Sequence, residues 1–303
     1  MKTKIAIIGA GRIAYSLTSA LLKEGYIVDA IISRKINSAK ALAEKFGVKK
    51  YSDDLHILDK SVKVFFLSVP DSEIRSVAVK LSKCRLDFRN SLFVHLSGAE
   101  NISLLNVLKK KGSVVASLHL MQTFPSKKVV SLKEIQAAIE TDDESVRRFL
   151  TLFSLSLNMI PFNIDSTSKV YYHLAGVFAS NFLAGNLFNA QKFLSLNNID
   201  EQKYFDILSS TIQSTLKNIR TIGPAKALSG PVDRGDIKTI RKHISSLKRK
   251  SKNSKGNYFS SLLKNYIIQS VNLIDLVEEK HGELNKSHQD IKKLLVHELN
   301  KIE

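Results

Sequence analysis

The sequence predicts an α/β fold: a doubly wound parallel sheet followed by an all-α C-terminal domain. Two observations carry this. Between Lys4 and Pro125, short apolar runs rich in β-branched residues alternate with helical patterns, the order that builds a parallel sheet covered by helices. Beyond Pro161 the strand patterns stop and helical periodicity takes over. A chain of 303 residues, 44% hydrophobic, is long enough for two domains, expected at residues 1–160 and 161–303.

The first strand is KIAIIG (Lys4 to Gly9), an apolar run suited to a fully buried parallel strand. Gly9-Ala10-Gly11-Arg12-Ile13-Ala14 comes next, and Ile13, Leu17, Ala20 and Leu21 then share one helical face. A GxGxxG-type turn between a strand and a helix is a dinucleotide fingerprint, which makes the first domain Rossmann-type. Gly9 permits the tight turn, and Gly11 lets the backbone approach a pyrophosphate. Ala14 replaces the third glycine and still allows close helix–strand packing. The N–H groups at the helix start, beginning with Arg12 and Ile13, face the phosphates.

The second strand, YIVDAIISRK (Tyr26 to Lys35), selects the nucleotide. An NAD site wants Asp or Glu at the end of this strand for the ribose 2′-OH. Here Ser33, Arg34 and Lys35 stand there. A carboxylate would repel a 2′-phosphate, whereas a hydroxyl with a guanidinium holds one. The predicted cofactor is NADP(H).

The alternation continues. NSAKALAEKFG (Asn37 to Gly47) predicts a helix with an Asn37 N-cap and a glycine stop. KVFFLSVP (Lys63 to Pro70) predicts a buried strand whose end, Val69 and Pro70, borders the cofactor, and Asp71 or Ser72 caps the next helix. SLFVHLSGA (Ser91 to Ala99) and SVVASLHLMQTFP (Ser113 to Pro125) predict two further strands, with the helix ISLLNVLKKKG between them. Ligands of such sheets lie outside the carboxyl ends of the strands. Ser97 and Gly98 are thus placed to bind a substrate carboxylate or carbonyl, and His119 and Gln122 face the same crevice. His95 reads as a strand histidine with satisfied hydrogen bonds.

In the C-terminal part, TSKVYYHLAGVFASNFLAGNLFNAQKFL (Thr167 to Leu194) predicts one long helix. It is apolar around much of its circumference, which implies burial in a bundle or a subunit interface. His173, Val177 and Asn181, at i, i+4 and i+8, share a face flanked by Gly176 and Ser180. His173 is the first candidate for proton transfer, because imidazole titrates near working pH; His119 is the second. Asn181 would orient the substrate. The competing reading is a helix–helix hydrogen bond with no ligand. In LSGPVDRGD, Arg234 either reaches a substrate carboxylate or phosphate, or pairs with Asp233 or Asp236 at a helix start. No CxxC, HExxH or carboxylate cluster occurs, so no metal site is expected.

Lys and Arg number 46 against 28 Asp and Glu, a net charge of +18. The excess is not segregated, and the densest basic run, Lys238 to Asn257, contains no aromatic residue. Both facts argue against nucleic-acid binding and for a solvated basic surface that attracts anionic ligands. No apolar run reaches the roughly 18 residues a membrane span needs, and the N-terminal run is too short for a signal peptide. The single cysteine, Cys84, fits a reducing compartment; a cytoplasmic protein is expected.

IAIIGAGRIA, FLSVPDSEI, HLSGA, SLHLMQTF, YYHLAGVFASNFL and LSGPVDRGD carry a resemblance. The N-terminal half resembles the NADP-binding domain shared by pyrroline-5-carboxylate reductase and the β-hydroxyacid dehydrogenases. The whole chain resembles a bacterial family of NADP oxidoreductases in which a Rossmann-like domain precedes a helical domain of unknown function. Two departures stand out: Leu120 occupies a position where such proteins commonly have proline, and Asn181 is followed four residues on by Gly185 rather than by the lysine of the β-hydroxyacid dehydrogenases. That family's mechanism therefore does not transfer. The resemblance implies a homodimer formed through the helical domain. The resulting expectation is an NADP(H)-dependent oxidoreductase that reduces a small, anionic oxo or imino acid by hydride transfer at a site between the two domains. A non-catalytic NADP(H)-binding regulator is the alternative.

Overall fold

Eight strands form one sheet in the order β3-β2-β1-β4-β5-β6-β7-β8 in the computed structural model, which describes residues 3–197, 199–254 and 256–301. The strands are β1 (Lys4–Ile8), β2 (Ile27–Ile32), β3 (Lys50–Ser52), β4 (Val62–Leu67), β5 (Leu92–His95), β6 (Val114–Leu120), β7 (Gln136–Glu140) and β8 (Ile160–Asn163). Helices α1 (Arg12–Lys23), α2 (Ile36–Phe46), α3 (Asp71–Leu81), α4 (Asn106–Lys109) and α5 (Glu144–Ser156) connect them. In β1 the residues from Ile5 to Ile8 are all buried, as a strand covered on both faces requires. Two apolar cores result: one face gathers Ile7, Leu17, Phe66 and Phe153, and the other gathers Ile8, Phe65, Ile74 and Phe93.

β1 to β6 pair in parallel. β7 breaks the predicted all-parallel pattern by pairing antiparallel with β6, from Ser117 opposite Glu140 to Leu120 opposite Ala137. β8 pairs in parallel with β7 at the sheet edge, so a strand does run through Pro161, where strand patterns were expected to have stopped. An edge strand spares one row of backbone groups from pairing, and a proline is tolerated there. Leu120, in the place of a family proline, is the buried last residue of β6. Two predicted caps shift by one or two positions. α2 starts at Ile36 after Lys35, inside which Asn37 lies, and α3 starts at Asp71 after Pro70. Gly47 stops α2 in the left-handed conformation, φ 69°.

The chain divides into two compact units, residues 1–183 and 184–303, beyond the expected boundary at 160/161. The first turns of the long helix go with the sheet because Lys169 and Tyr172 bond to strand residues. That helix consists of α6 (Lys169–Gly176), a π-helical stretch Val177–Phe182, and α7 (Leu183–Ser195). The second unit continues with α8 (Tyr204–Ile222), α9 (Pro224–Ala227), α10 (Ile237–Asn253), α11 (Tyr258–His281) and α12 (Lys286–Asn300). Ile240, Ile244, Leu263, Ile267, Ile274 and Ile291 form its core. Asp236 caps α10 as predicted, accepting from the Thr239 N–H. Among the described residues no helix is long and apolar enough to cross a membrane.

Candidate functional site

A cleft of about 380 Å³ opens at the carboxyl ends of β1, β2 and β4, lined in part by Gly9, Gly11, Ser33, Arg34, Val69 and Pro70. Gly9 has φ 104°, and a Cβ there would lie 2.1 Å from the Ser68 carbonyl oxygen. Only glycine lets β1 and β4 end this close together. Gly11 is the N-cap of α1; no side chain caps that helix and no carboxylate lies in its first turn. Its N–H groups and positive dipole end are left for an anion. Ala14 is fully buried and serves packing, away from the ligand side. A dinucleotide cradle fits this geometry.

The end of β2 carries no carboxylate. Ser33, Arg34, Lys35 and Ser38 line the cleft there, with Lys80 across from them. The exposed Arg34 guanidinium is 3.5 Å from the Glu73 carboxylate, so a 2′-phosphate arriving at Arg34 competes with that weak exposed pair. Arg12 and Ile13 line a second hollow of about 320 Å³, which shares Gly11, Val69 and Pro70 with the first and adds Ser97 and Phe124.

Next to Ser97, the imidazole of His119 lies over Gly98. A Cβ at Gly98 would stand 2.7, 2.8 and 2.9 Å from Nε2, Cε1 and Cδ2 of that ring, so the glycine is what makes room for it. His119 Nδ1 is 2.8 Å from the Tyr172 hydroxyl, and the ring centroid of His173 is 6.3 Å from that of His119. Burial, then the nearby His173 and Lys169, push the His119 pKa down to about 4, and burial raises that of Tyr172 to about 12. Both are neutral at ordinary pH.

Beneath this cluster Lys169 and Glu140 form a fully buried ion pair at 2.7 Å. Lys169 also donates to Ser117 Oγ at 2.5 Å, and Glu140 accepts from the Ile102 N–H and the Ser166 hydroxyl. Strand and helix are matched: Ser117, His119 and Met121 alternate along one face of the β6 segment and meet Lys169, Tyr172 and Gly176. Spacings of i, i+2, i+4 on the strand thus answer i, i+3, i+7 on the helix.

Other predicted residues sit differently. His173 is half-buried and Asn181 exposed. A π-helical stretch, Val177–Phe182, begins one turn after His173 and contains Asn181. Ser97 borders the second hollow, but its hydroxyl accepts from the Ala99 and Glu100 N–H groups and shapes the loop. Gln122 is exposed and accepts from the Thr123 N–H. His95 is fully buried: Nδ1 accepts from the Ser97 N–H, and Nε2 has no hydrogen-bond partner within normal distance among the described residues. Arg234 is exposed. Asp233 bonds Lys280 and His281 rather than Arg234, and Asp236 is occupied as the α10 cap. Tyr172, Lys169 and Glu140 do not stand out in the sequence; a lysine in an apolar helical stretch is the available signal for one of them.

Residues 4–94 match the family described as NADP oxidoreductase, coenzyme F420-dependent. The first unit carries an NADP oxidoreductase domain. Its cofactor is NADP(H), in keeping with the carboxylate-free end of β2. Residues 135–264 match a domain of unknown function (DUF2520). A Bacteroides fragilis protein described as a putative NADP oxidoreductase is 26% identical, with a TM-score of 0.75 over 90% of this chain and 98% of that one. More distant structures share the fold. A reductive aminase from Aspergillus terreus, in complex with NADPH and ethyl-5-oxohexanoate, is 10% identical with a TM-score of 0.58, covering 99% of this chain and 95% of that one. A pyrroline-5-carboxylate reductase from Coxiella burnetii is 15% identical with a TM-score of 0.55, covering 100% of this chain and 99% of that one. No curated protein sequence matches the chain.

Proposed function

We propose that the protein uses NADPH to reduce a small oxo or imino acid. The observation that carries this reading is the continuity from the cofactor cleft, through the hollow at Gly11 and Ser97, to the imidazole stacked on Gly98. When bound, NADPH supplies a hydride to the carbon of a C=O or C=N group. The oxygen or nitrogen then takes up a proton, for which His173 is the proposed donor. His119, neutral, offers its outward N–H to the same atom. The basic surface and the exposed Arg34 and Arg12 favour anionic ligands, so a carboxylate on the substrate suits the site. The fold of the reductive aminase and pyrroline-5-carboxylate reductase structures supports the class of reaction. A nucleotide-binding regulator would keep the cradle but leave the His119–Tyr172–His173 cluster without work.

Arg34→Ala tests the cofactor assignment. The lost charge-assisted contact is expected to weaken NADPH binding by about 10- to 100-fold and to leave NADH nearly unchanged, read by nucleotide fluorescence titration. Equal loss for both nucleotides would remove Arg34 from the 2′-phosphate. Consumption of NADPH across a panel of small keto and imino acids tests the reaction itself; no turnover with any of them would favour the regulator.

We further propose a homodimer. No residue of α7 is buried, and Tyr204 alone is buried in α8 among the described residues. Phe188 and Phe193 on α7 and Phe205, Leu216 and Ile222 on α8 are exposed. An apolar hollow of about 600 Å³, lined in part by Phe193, Leu196 and Phe259, lies in the same unit. Patches of this kind mark association surfaces. Sedimentation equilibrium is expected to give twice the chain mass, and a monomer at micromolar concentration would count against this.

A further inference from the structure

His119 has one nitrogen fixed by the protein and one that is not. Nδ1 lies 2.8 Å from the Tyr172 hydroxyl. Nε2 has no protein hydrogen-bond partner among the described residues and is not a buried unsatisfied atom, so it meets solvent. The ring cannot slide away from this arrangement easily, because one face rests on Gly98 and its edge meets the Tyr172 ring at a 5.4 Å centroid separation.

The direction of the hydrogen bond comes from counting protons. A neutral phenol has a single O–H to give. Were Nδ1–H the donor, the phenol hydrogen would have to point elsewhere in a half-buried setting where no second acceptor for it is found among the described residues. With the phenol donating, Nδ1 is the acceptor and the imidazole hydrogen must reside on Nε2. The charged and titratable groups around the ring act in the same sense. His173 and Lys169 from α6 both disfavour an imidazolium at His119, and His95 from β5 is itself coupled to His119. In the loop that carries Gly98, Glu100 acts electrostatically on Lys169.

We propose that Tyr172 is a positioning residue: it holds His119 in the Nε2–H tautomer and aims that N–H at the substrate oxygen or nitrogen that is being reduced. This rests on the oxidoreductase reading given above for what the N–H meets, though the tautomer itself does not. His119 then works as a neutral hydrogen-bond donor that polarises the C=O or C=N group, while the transferred proton comes from another group. A neutral imidazole in this role keeps it across the physiological range, whereas an imidazolium would be titrated away above its pKa.

The experiment is Tyr172→Phe on the full-length protein, which retains the ring packed against Phe162. In protein labelled with 15N at histidine, wild-type His119 is expected to show a bare Nδ1 and a protonated Nε2 from pH 5 to pH 8. The variant should mix the two tautomers and move the pH at which His119 protonates. NADPH affinity should stay within about twofold, while kcat for the reduced acid falls about tenfold or more. A wild-type His119 carrying its proton on Nδ1, or an unchanged His119 spectrum in the variant, would overturn the assignment. So would an altered spectrum with unaltered kcat. If no acid is turned over by either protein, the catalytic reading fails, and the nitrogen spectra still decide whether Tyr172 sets the tautomer.

Discussion

Lys169→Met is expected to cost about 3–5 kcal/mol of folding stability, because it strands the Glu140 carboxylate without a countercharge. The pair is sealed: the Lys169 and Glu140 side chains are 1% and 3% exposed. Burial lowers the Lys169 pKa, and the adjacent Glu140 opposes this. The loss is specific to the charge. In Lys169→Met combined with Glu140→Gln, the amide can still accept from the Ile102 N–H and give a hydrogen to Ser117, and no ion is left buried. The double variant should therefore regain most of the lost stability, a non-additivity that a double-mutant cycle reads directly. Urea unfolding of the four proteins measures it. A single-variant loss below about 1 kcal/mol would mean that water reaches Glu140.

Gly9→Ala should do comparable damage by another route. The methyl group would sit 2.1 Å from the Ser68 carbonyl oxygen and 2.5 Å from its carbon, both backbone atoms that cannot swing aside, at a φ of 104°. Backbone strain alone costs about 1–3 kcal/mol, and relieving the clash must separate the ends of β1 and β4, which hold the Ser68 N–H to the Ile8 carbonyl at 2.7 Å. NADPH binding is expected to weaken by about 100-fold or more, since about 2.7 kcal/mol of misplaced contact already gives that factor. Gly185→Ala is the control: its Cβ meets nothing within 4 Å and its backbone needs no positive φ. Thermal melts and nucleotide titration on both variants separate the cases. A Gly9 variant that binds NADPH within threefold of wild type would show that the cradle yields.

These two residues also mark how far the sequence can be read. Gly9 is legible because its demand is local: a strand, a glycine turn and a helix succeed one another within a few residues. The end of β2 is legible for the same reason, as is the Asp236 cap. Lys169 and Glu140 are not, since each acquires meaning only from a partner 29 positions away. β3, with 3 residues, and β8, with 4 and a proline among them, are too short for periodicity to announce them; pairing with a neighbour makes them strands. The antiparallel turn of β7 is likewise a property of the sheet. The π-helical stretch at Val177–Phe182 is also not legible, since its backbone pattern leaves no mark in residue spacing.

The reversal at β7 has a mechanical result. It carries the chain back along the sheet, so that α6 climbs in the same sense as β6 and meets it at successive rungs, with lysine on the lower rung and phenol on the next. Two residues of strand advance about 6.6 Å and three of helix about 4.5 Å, so the rungs agree only if the lower one is pinned. The salt link is that pin. Slip the helix by one residue and the phenol rotates about 100° off the imidazole, so a buried charge one turn earlier sets where the tyrosine stands.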